Sequence, residues 1–194
     1  MKIIDITRTA QQAPIYPGSE PIEIRQIMNI NDGDEYNASL IVTGSHMGTH
    51  ADAFSHYLKD SDVTIDKMPL ENYCGPCRVI TVPSDGLVTL DDIRGRLDGT
   101  HRLVLHGRET AYLCEEAAEY IAACGVKLLV TDALSVAPLD NEAAVHGILF
   151  DAGVAVIENA VLDDVEDGEY LIFAFPIKYE GIEAAPVRAV LITE

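Results

Sequence analysis

Three histidines and an aspartate fall at even positions in the run Ser45-His46-Met47-Gly48-Thr49-His50-Ala51-Asp52-Ala53-Phe54-Ser55-His56. Side chains of an extended backbone alternate faces, so His46, His50, Asp52 and His56 would share one face of a strand or tight loop. A helix would align His46 with His50 but carry Asp52 roughly 200° around from His50. Gly48 and Thr49 also favour extended or turn backbone over helix. Each of these groups needs a partner if it is buried. A lone histidine in an apolar stretch reads as a satisfied structural residue, whereas four such groups on one face read as a metal site. Imidazole nitrogen with carboxylate oxygen suits zinc, manganese or ferrous iron.

At 194 residues the chain is expected to form a single domain spanning 1–194, large enough for a full core. It carries 32 acidic and 13 basic residues, a formal net charge of −19. That field disfavours nucleic acid and anionic membrane surfaces as partners; a small-molecule substrate is the expected partner. The apolar runs are of strand length, so no transmembrane helix is expected. Met1-Lys2-Ile3-Ile4-Asp5 lacks the long apolar core of a signal peptide, which makes the cytoplasm the expected location. Four cysteines do not suggest a disulfide scaffold.

The first third reads as β, with strands predicted over 2–8, 22–28 and 36–44 between turn-rich segments. A further strand is predicted over 78–82. Thr89 with Asp92 resembles a capping box opening a helix to about Leu97. Residues 101–106 read as a buried strand. A helix is predicted over 110–124 from its apolar stripe and terminating Gly125. Next come a strand over 126–131, a helix over 142–152 and a strand over 154–157. Strands over 170–175 and 187–193 close the chain. Strands first, then strand–helix alternation, predict an α/β domain with a mixed sheet.

A dinuclear site needs more ligands than the first run supplies. His146, inside the predicted helix, and Glu158, at the end of a predicted apolar strand, are the best distant candidates. Taken singly, each has a plainer reading: a half-exposed helix histidine and a solvated strand end.

The run His46 to His56 resembles the HxGTHxDxPxH signature of the metal-dependent cyclase/hydrolase family, which includes bacterial kynurenine formamidase and isatin hydrolase. Tyr16-Pro17-Gly18 is similar to the family's early aromatic-Pro-Gly turn, and Thr131-Asp132-Ala133-Leu134-Ser135 to its Asp-x-x-Ser strand end. His146 with Glu158 resembles its distant His…Glu pair, and Ala185–Val190 its C-terminal strand. The resemblance implies a compact β/β/α domain, a mixed β core flanked by helices, assembled as a homodimer or homotetramer. It implies two divalent metals per subunit, zinc or manganese. His46, His50 and Asp52 would hold one, and Asp52, His146 and Glu158 the other, with Asp52 bridging. His56 would be the catalytic acid/base and Tyr16 a substrate-binding residue.

The implied reaction is hydrolysis of an aryl formamide such as N-formylkynurenine by a metal-bridged hydroxide. His56 would carry the proton to the leaving nitrogen. A cyclic amide, imide or lactone would fit the same machinery, and a non-catalytic metal-binding protein is the reading from another class. Two departures stand out. Phe54 occupies the place of the family's proline. The chain has no tryptophan, so Tyr16 stands where the formamidases place one.

Cys74-Gly75-Pro76-Cys77 spells a redox motif, but the strand expected after it is the wrong context for a thiolate at a helix N-terminus. A Cys74–Cys77 disulfide stays open. His101 and His106 are expected to be structural.

Overall fold

The computed structural model describes residues 1–193, and short β-branched runs broken by glycine and proline organise its backbone. In chain order the strands and helices are β1 (Lys2–Asp5), β2 (Glu23–Met28), β3 (Ala38–Val42), β4 (His50–Asp52), β5 (Cys74–Thr81), α1 (Leu90–Ile93), β6 (Arg102–His106), α2 (Glu115–Ala123), β7 (Leu128–Thr131), α3 (Glu142–Asp151), β8 (Ala155–Glu158), β9 (Gly168–Phe173), β10 (Ala184–Pro186) and β11 (Val190–Thr193). Nine strands form one mixed sheet in the order β1-β11-β9-β5-β6-β7-β8-β4-β10, while β2 and β3 form a separate ribbon. Neighbours from β5 to β8 are parallel, and the flanking pairs are antiparallel. The expected α/β class with a mixed sheet is borne out.

Alternation along the parallel strands divides the interior in two. Val104, Val130 and Ile157 enter one core, with Ile6, Ile172 and Leu191. Leu103, Leu105, Leu129 and Val156 enter the other, beneath Ile121 of α2 and Leu149 of α3. The sheet curls around the first core. Past β1 the chain reaches the end of β8, where Thr7 bridges Ala160 and the Val161 amide donates to the Ile6 carbonyl at 2.9 Å.

Several predicted elements are shorter than their patterns suggested. The first strand stops at Asp5 because the chain turns to make that bridge. The predicted helix over 110–124 begins only at Glu115. Residues before it serve the sheet side instead: Leu113 bridges Val88, and its amide donates to the Val136 carbonyl at 2.8 Å. The capping box forms, with the Thr89 amide donating to Asp92 Oδ2 at 2.7 Å, but α1 ends at Ile93 ahead of Gly95 at φ +71°. The predicted closing strand over 187–193 begins only at Val190, as β11, while β10, just ahead of it at Ala184–Pro186, lies at the far edge of the sheet beside β4. No helix among the described residues is long and apolar enough to cross a membrane.

Candidate metal centre

The run from His46 to His56 is not one extended segment, which corrects the expectation of a single shared face. It divides into a turn, the short strand β4 and a 3-10 turn over Phe54–His56. Gly48 sits at φ +70° with its Cα side against Ala10, a conformation that favours glycine. Alternation holds within β4: Ala51 enters the inner core while His50 and Asp52 face the helix side. Thr49 secures the junction. Its hydroxyl donates to the Asn159 carbonyl at 2.7 Å and accepts from the Arg8 amide at 2.8 Å.

Register brings in the distant half. β4 pairs antiparallel with β8 so that His50 lies directly opposite Glu158. Glu158 is therefore the last residue of a buried strand, not a solvated strand end, and it is 5% exposed. Asn159 follows in left-handed backbone at φ +62°, which turns the chain away beyond the carboxylate. α3 carries His146 across the same end of the sheet, and the residue is 1% exposed, not half-exposed.

Six imidazole–carboxylate approaches knit the cluster. His46 Nδ1 and His50 Nε2 stand 3.1 and 3.4 Å from Asp52 Oδ1. His146 Nε2 stands 3.5 Å from Asp52 Oδ2 and 3.3 Å from Glu158 Oε1. His50 Nε2 is 3.4 Å from Glu158 Oε2, and His46 Nε2 is 3.3 Å from Glu183. Two potential ligand triads result, His46–His50–Asp52 and Asp52–His146–Glu158, and they share Asp52.

The donor set fits a divalent cation. His50 Nδ1 donates to the Gly48 carbonyl and His146 Nδ1 to the Glu142 carbonyl, both at 2.9 Å. Each bond spends the Nδ1 proton and leaves Nε2 as a lone pair aimed at carboxylate oxygens. These Nε2 atoms and both Asp52 oxygens are buried without a hydrogen-bond partner. Acceptors facing acceptors in a buried site repel unless a cation or proton lies between them. With protons alone, burial lowers the His50 pKa but contact with Glu158 and the charge of Asp52 outweigh it, raising it to about 9. His146 rises likewise to about 10 through Asp52 and Glu158. Burial disfavours ionised Asp52 and Glu158, yet the surrounding imidazoles hold both carboxyls below their usual range. Glu158 has further support from Ser135 Oγ and the Val136 amide, which donate to Oε1 at 3.1 and 2.8 Å.

A cavity of about 230 Å³ opens on this cluster, lined by His46, His50, His56, His146 and Glu158 together with Tyr16, Tyr57 and Glu142. His56 packs its ring 4.3 Å from that of His46, and burial pushes its pKa down. Phe54 anchors the turn carrying His56 by packing against Phe150 of α3 at 5.6 Å between ring centres. Tyr57 stacks on His146 at 4.3 Å. Tyr16 closes the type of turn expected, with the Ser19 amide donating to its carbonyl at 2.9 Å, and its hydroxyl donates to Glu142 at 2.5 Å. Six of the seven residues singled out in the sequence thus line one cavity, and the seventh, Asp52, is fully buried in contact with three of them. Sequence reasoning missed Glu142, Tyr57 and Glu183. The first two carried a signal: Glu142 precedes His146 by one helical turn, and Tyr57 adjoins His56.

Cys74–Cys77 opens β5 directly after a 3-10 turn over Leu70–Tyr73, so neither thiol stands at a helix N-terminus, and all four cysteines are free. Burial raises the Cys77 thiol to about 12, the reverse of an activated thiolate. His101 and His106 lie outside the metal-type cavity.

The family model described as "Putative cyclase" matches residues 4–138, and the chain belongs to that family. It is 32% identical to the kynurenine formamidase of Bacillus cytotoxicus, over 97% of this chain and 96% of that one. A solved structure described as a potential metal-dependent hydrolase with cyclase activity matches at 30% identity and TM-score 0.76, covering 98% and 96% of the two chains. Isatin hydrolase A from Labrenzia aggregata, bound to benzyl benzoate, shares the fold at TM-score 0.85 and 19% identity, covering 100% and 94%. The chain is a metal-dependent hydrolase, and its His/Asp/Glu cluster is suited to divalent metal.

Proposed function

We propose that this enzyme hydrolyses the C–N bond of an aryl formamide such as N-formylkynurenine, with two divalent cations, zinc or manganese, per subunit. The observation that carries the reading is the pair of ligand triads joined through Asp52 at the floor of a small cavity. His46, His50 and Asp52 would hold one cation, and Asp52, His146 and Glu158 the other. Bound there, the cations would supply Lewis acidity and an activated water. The similarity to a kynurenine formamidase along 97% of the chain supports the substrate class.

The chain's own groups fit the remaining tasks. His56 lines the cavity without belonging to either triad, so its imidazole is free to take a proton and return it to the leaving nitrogen. Tyr16 offers an aromatic face for the aryl group. The Nδ1 bonds of His50 and His146 to backbone carbonyls fix both rings in a metal-ready orientation. A cytoplasmic homodimer or homotetramer completes the proposal. Assembly is supported by the β2–β3 ribbon, where Ile24, Ile27, Leu40, Ile41 and Val42 are exposed and a second copy would cover them.

The decisive experiment is hydrolysis of N-formylkynurenine by protein loaded separately with zinc and with manganese. Turnover is expected with at least one metal. His56→Ala should retain both metals and lose about 100-fold or more in kcat. Fully metal-loaded protein that leaves formamides untouched would refute the reading, and full turnover by His56→Ala would refute the role given to that residue.

A further inference from the structure

Glu142 is the one carboxylate of the cavity that belongs to neither ligand triad and has no cationic partner. The residue is 5% exposed. Its Oε2 accepts from Tyr16 at 2.5 Å and from Tyr57 at 3.3 Å. Oε1 accepts no hydrogen bond and is not sealed from solvent. Among the described residues, no lysine, arginine or histidine nitrogen lies within ion-pairing distance of it, and no lysine or arginine lines the cavity. Buried carboxylates are normally paired, because an uncompensated charge is costly in a low dielectric. Two tyrosine hydroxyls solvate one oxygen and leave the other facing open space.

The open space continues. A second cavity, of about 270 Å³, shares Tyr16, Leu134, Ser135 and Glu142 with the first and extends between Tyr112, Pro138 and Leu139. Glu142 stands at the junction, with the ligand triads on one side and largely apolar walls on the other. A molecule whose amide lies over Asp52 and whose body occupies the second cavity must pass this carboxylate.

We infer that Glu142 is a specificity-determining residue, which recognises an ammonium group on the non-reacting part of the substrate while the adjoining cavity takes its apolar body. The inference rests on the amide-hydrolase reading above. An ammonium donates to the free Oε1 and supplies the missing counter-charge; a neutral group of the same size supplies only a weaker hydrogen bond. Tyr16 and Tyr57 act as positioning residues, since their hydroxyls hold the carboxylate at the junction.

The test is calorimetric binding of two inert product analogues to the metal-loaded full chain: a 2-aminophenyl ketone with an ammonium-terminated side chain, and its hydroxyl-terminated isostere. The wild type should bind the ammonium ligand about tenfold more tightly. Glu142→Gln should reduce that preference to within about twofold, and Glu142→Asp should retain most of it, with metal content equal to wild type in both. Equal binding of the two ligands by the wild type would overturn the inference whatever the variants do, as would an undiminished preference in Glu142→Gln. Turnover of the matching formamides is measured in parallel. An ammonium preference without any turnover would leave the role of Glu142 standing and refute the formamidase reading.

Discussion

The junction of β4, β8 and α3 buries two carboxylates and two imidazoles, whereas the β2–β3 ribbon leaves Ile24, Ile27, Ile41 and Val42 about half exposed. Both regions break the usual partition of polar outside and apolar inside, in opposite directions. At the junction the uncompensated quantity is charge: lone pairs of His50 and His146 point at carboxylate oxygens of Asp52 and Glu158. At the ribbon it is apolar area, on a two-stranded unit that is marginal in water by itself. The contrast teaches that each irregular region names its own missing partner by chemistry, a cation in one case and an apolar surface in the other.

The largest expected effect comes from removing the shared ligand. Asp52→Ala should abolish metal binding and turnover, and cost about 3–5 kcal/mol of stability because the imidazoles lose their central counter-charge. Metal analysis and a denaturant melt measure this. Retention of a full metal complement would erase the contrast, since the cluster would then not be organised around Asp52.

A second effect separates the metal-free and metal-loaded forms by pH. Without metal, His50 and His146 have folded-state pKa values of about 9 and about 10, above the ordinary histidine value. Their contribution to stability is complete below about pH 6.5 and is lost as pH rises through those folded values. Metal binding instead needs deprotonated ligands and strengthens as pH rises. Melting temperatures with and without chelator should therefore diverge between about pH 6.5 and 9. Parallel curves across that window would contradict the proton-or-cation account of the cluster.

The ribbon should respond quite differently. Ile24 and Ile41 are cross-strand partners, so Ile24→Lys with Ile41→Lys charges one patch without touching the main sheet. The double variant should shift the oligomer toward monomer in light scattering, with metal content unchanged and with under about 1 kcal/mol lost from the monomer fold. A monomeric wild type would remove the second copy from the comparison altogether. The smallest effect is expected outside both regions: Cys77→Ser in β5 should leave activity unchanged in oxidising and reducing buffer alike, because the thiol is buried and protonated. Redox-dependent activity of the wild type would give Cys74–Cys77 a role the strand context denies.

Legibility in the sequence followed locality. His46, His50 and Asp52 could be found because their spacing is short and one periodicity relates them. The boundaries of α2 could not, because Leu113 and Thr110 fit a helical stripe in sequence yet are claimed by the Val88 and Val136 segment and by the Gly107 carbonyl. His146 and Glu158 could be named as distant candidates from their places in a helix and at a strand end, but the family resemblance was needed to pair them, since each alone has a plainer reading as a surface residue. Glu142 escaped entirely, because a glutamate in the first turn of a helix has a routine reading as a dipole partner.

The sequence by itself determined the ligand chemistry, the α/β class and the alternation of strand and helix through the middle, because residue type and hydrophobic periodicity are local properties. Only the tertiary structure decided that the antiparallel register of β4 with β8 sets His50 opposite Glu158, and that α3 lays His146 and Glu142 over the same cavity. Those contacts join residues about a hundred positions apart, and which of them form depends on how the whole sheet curls and packs rather than on any single segment.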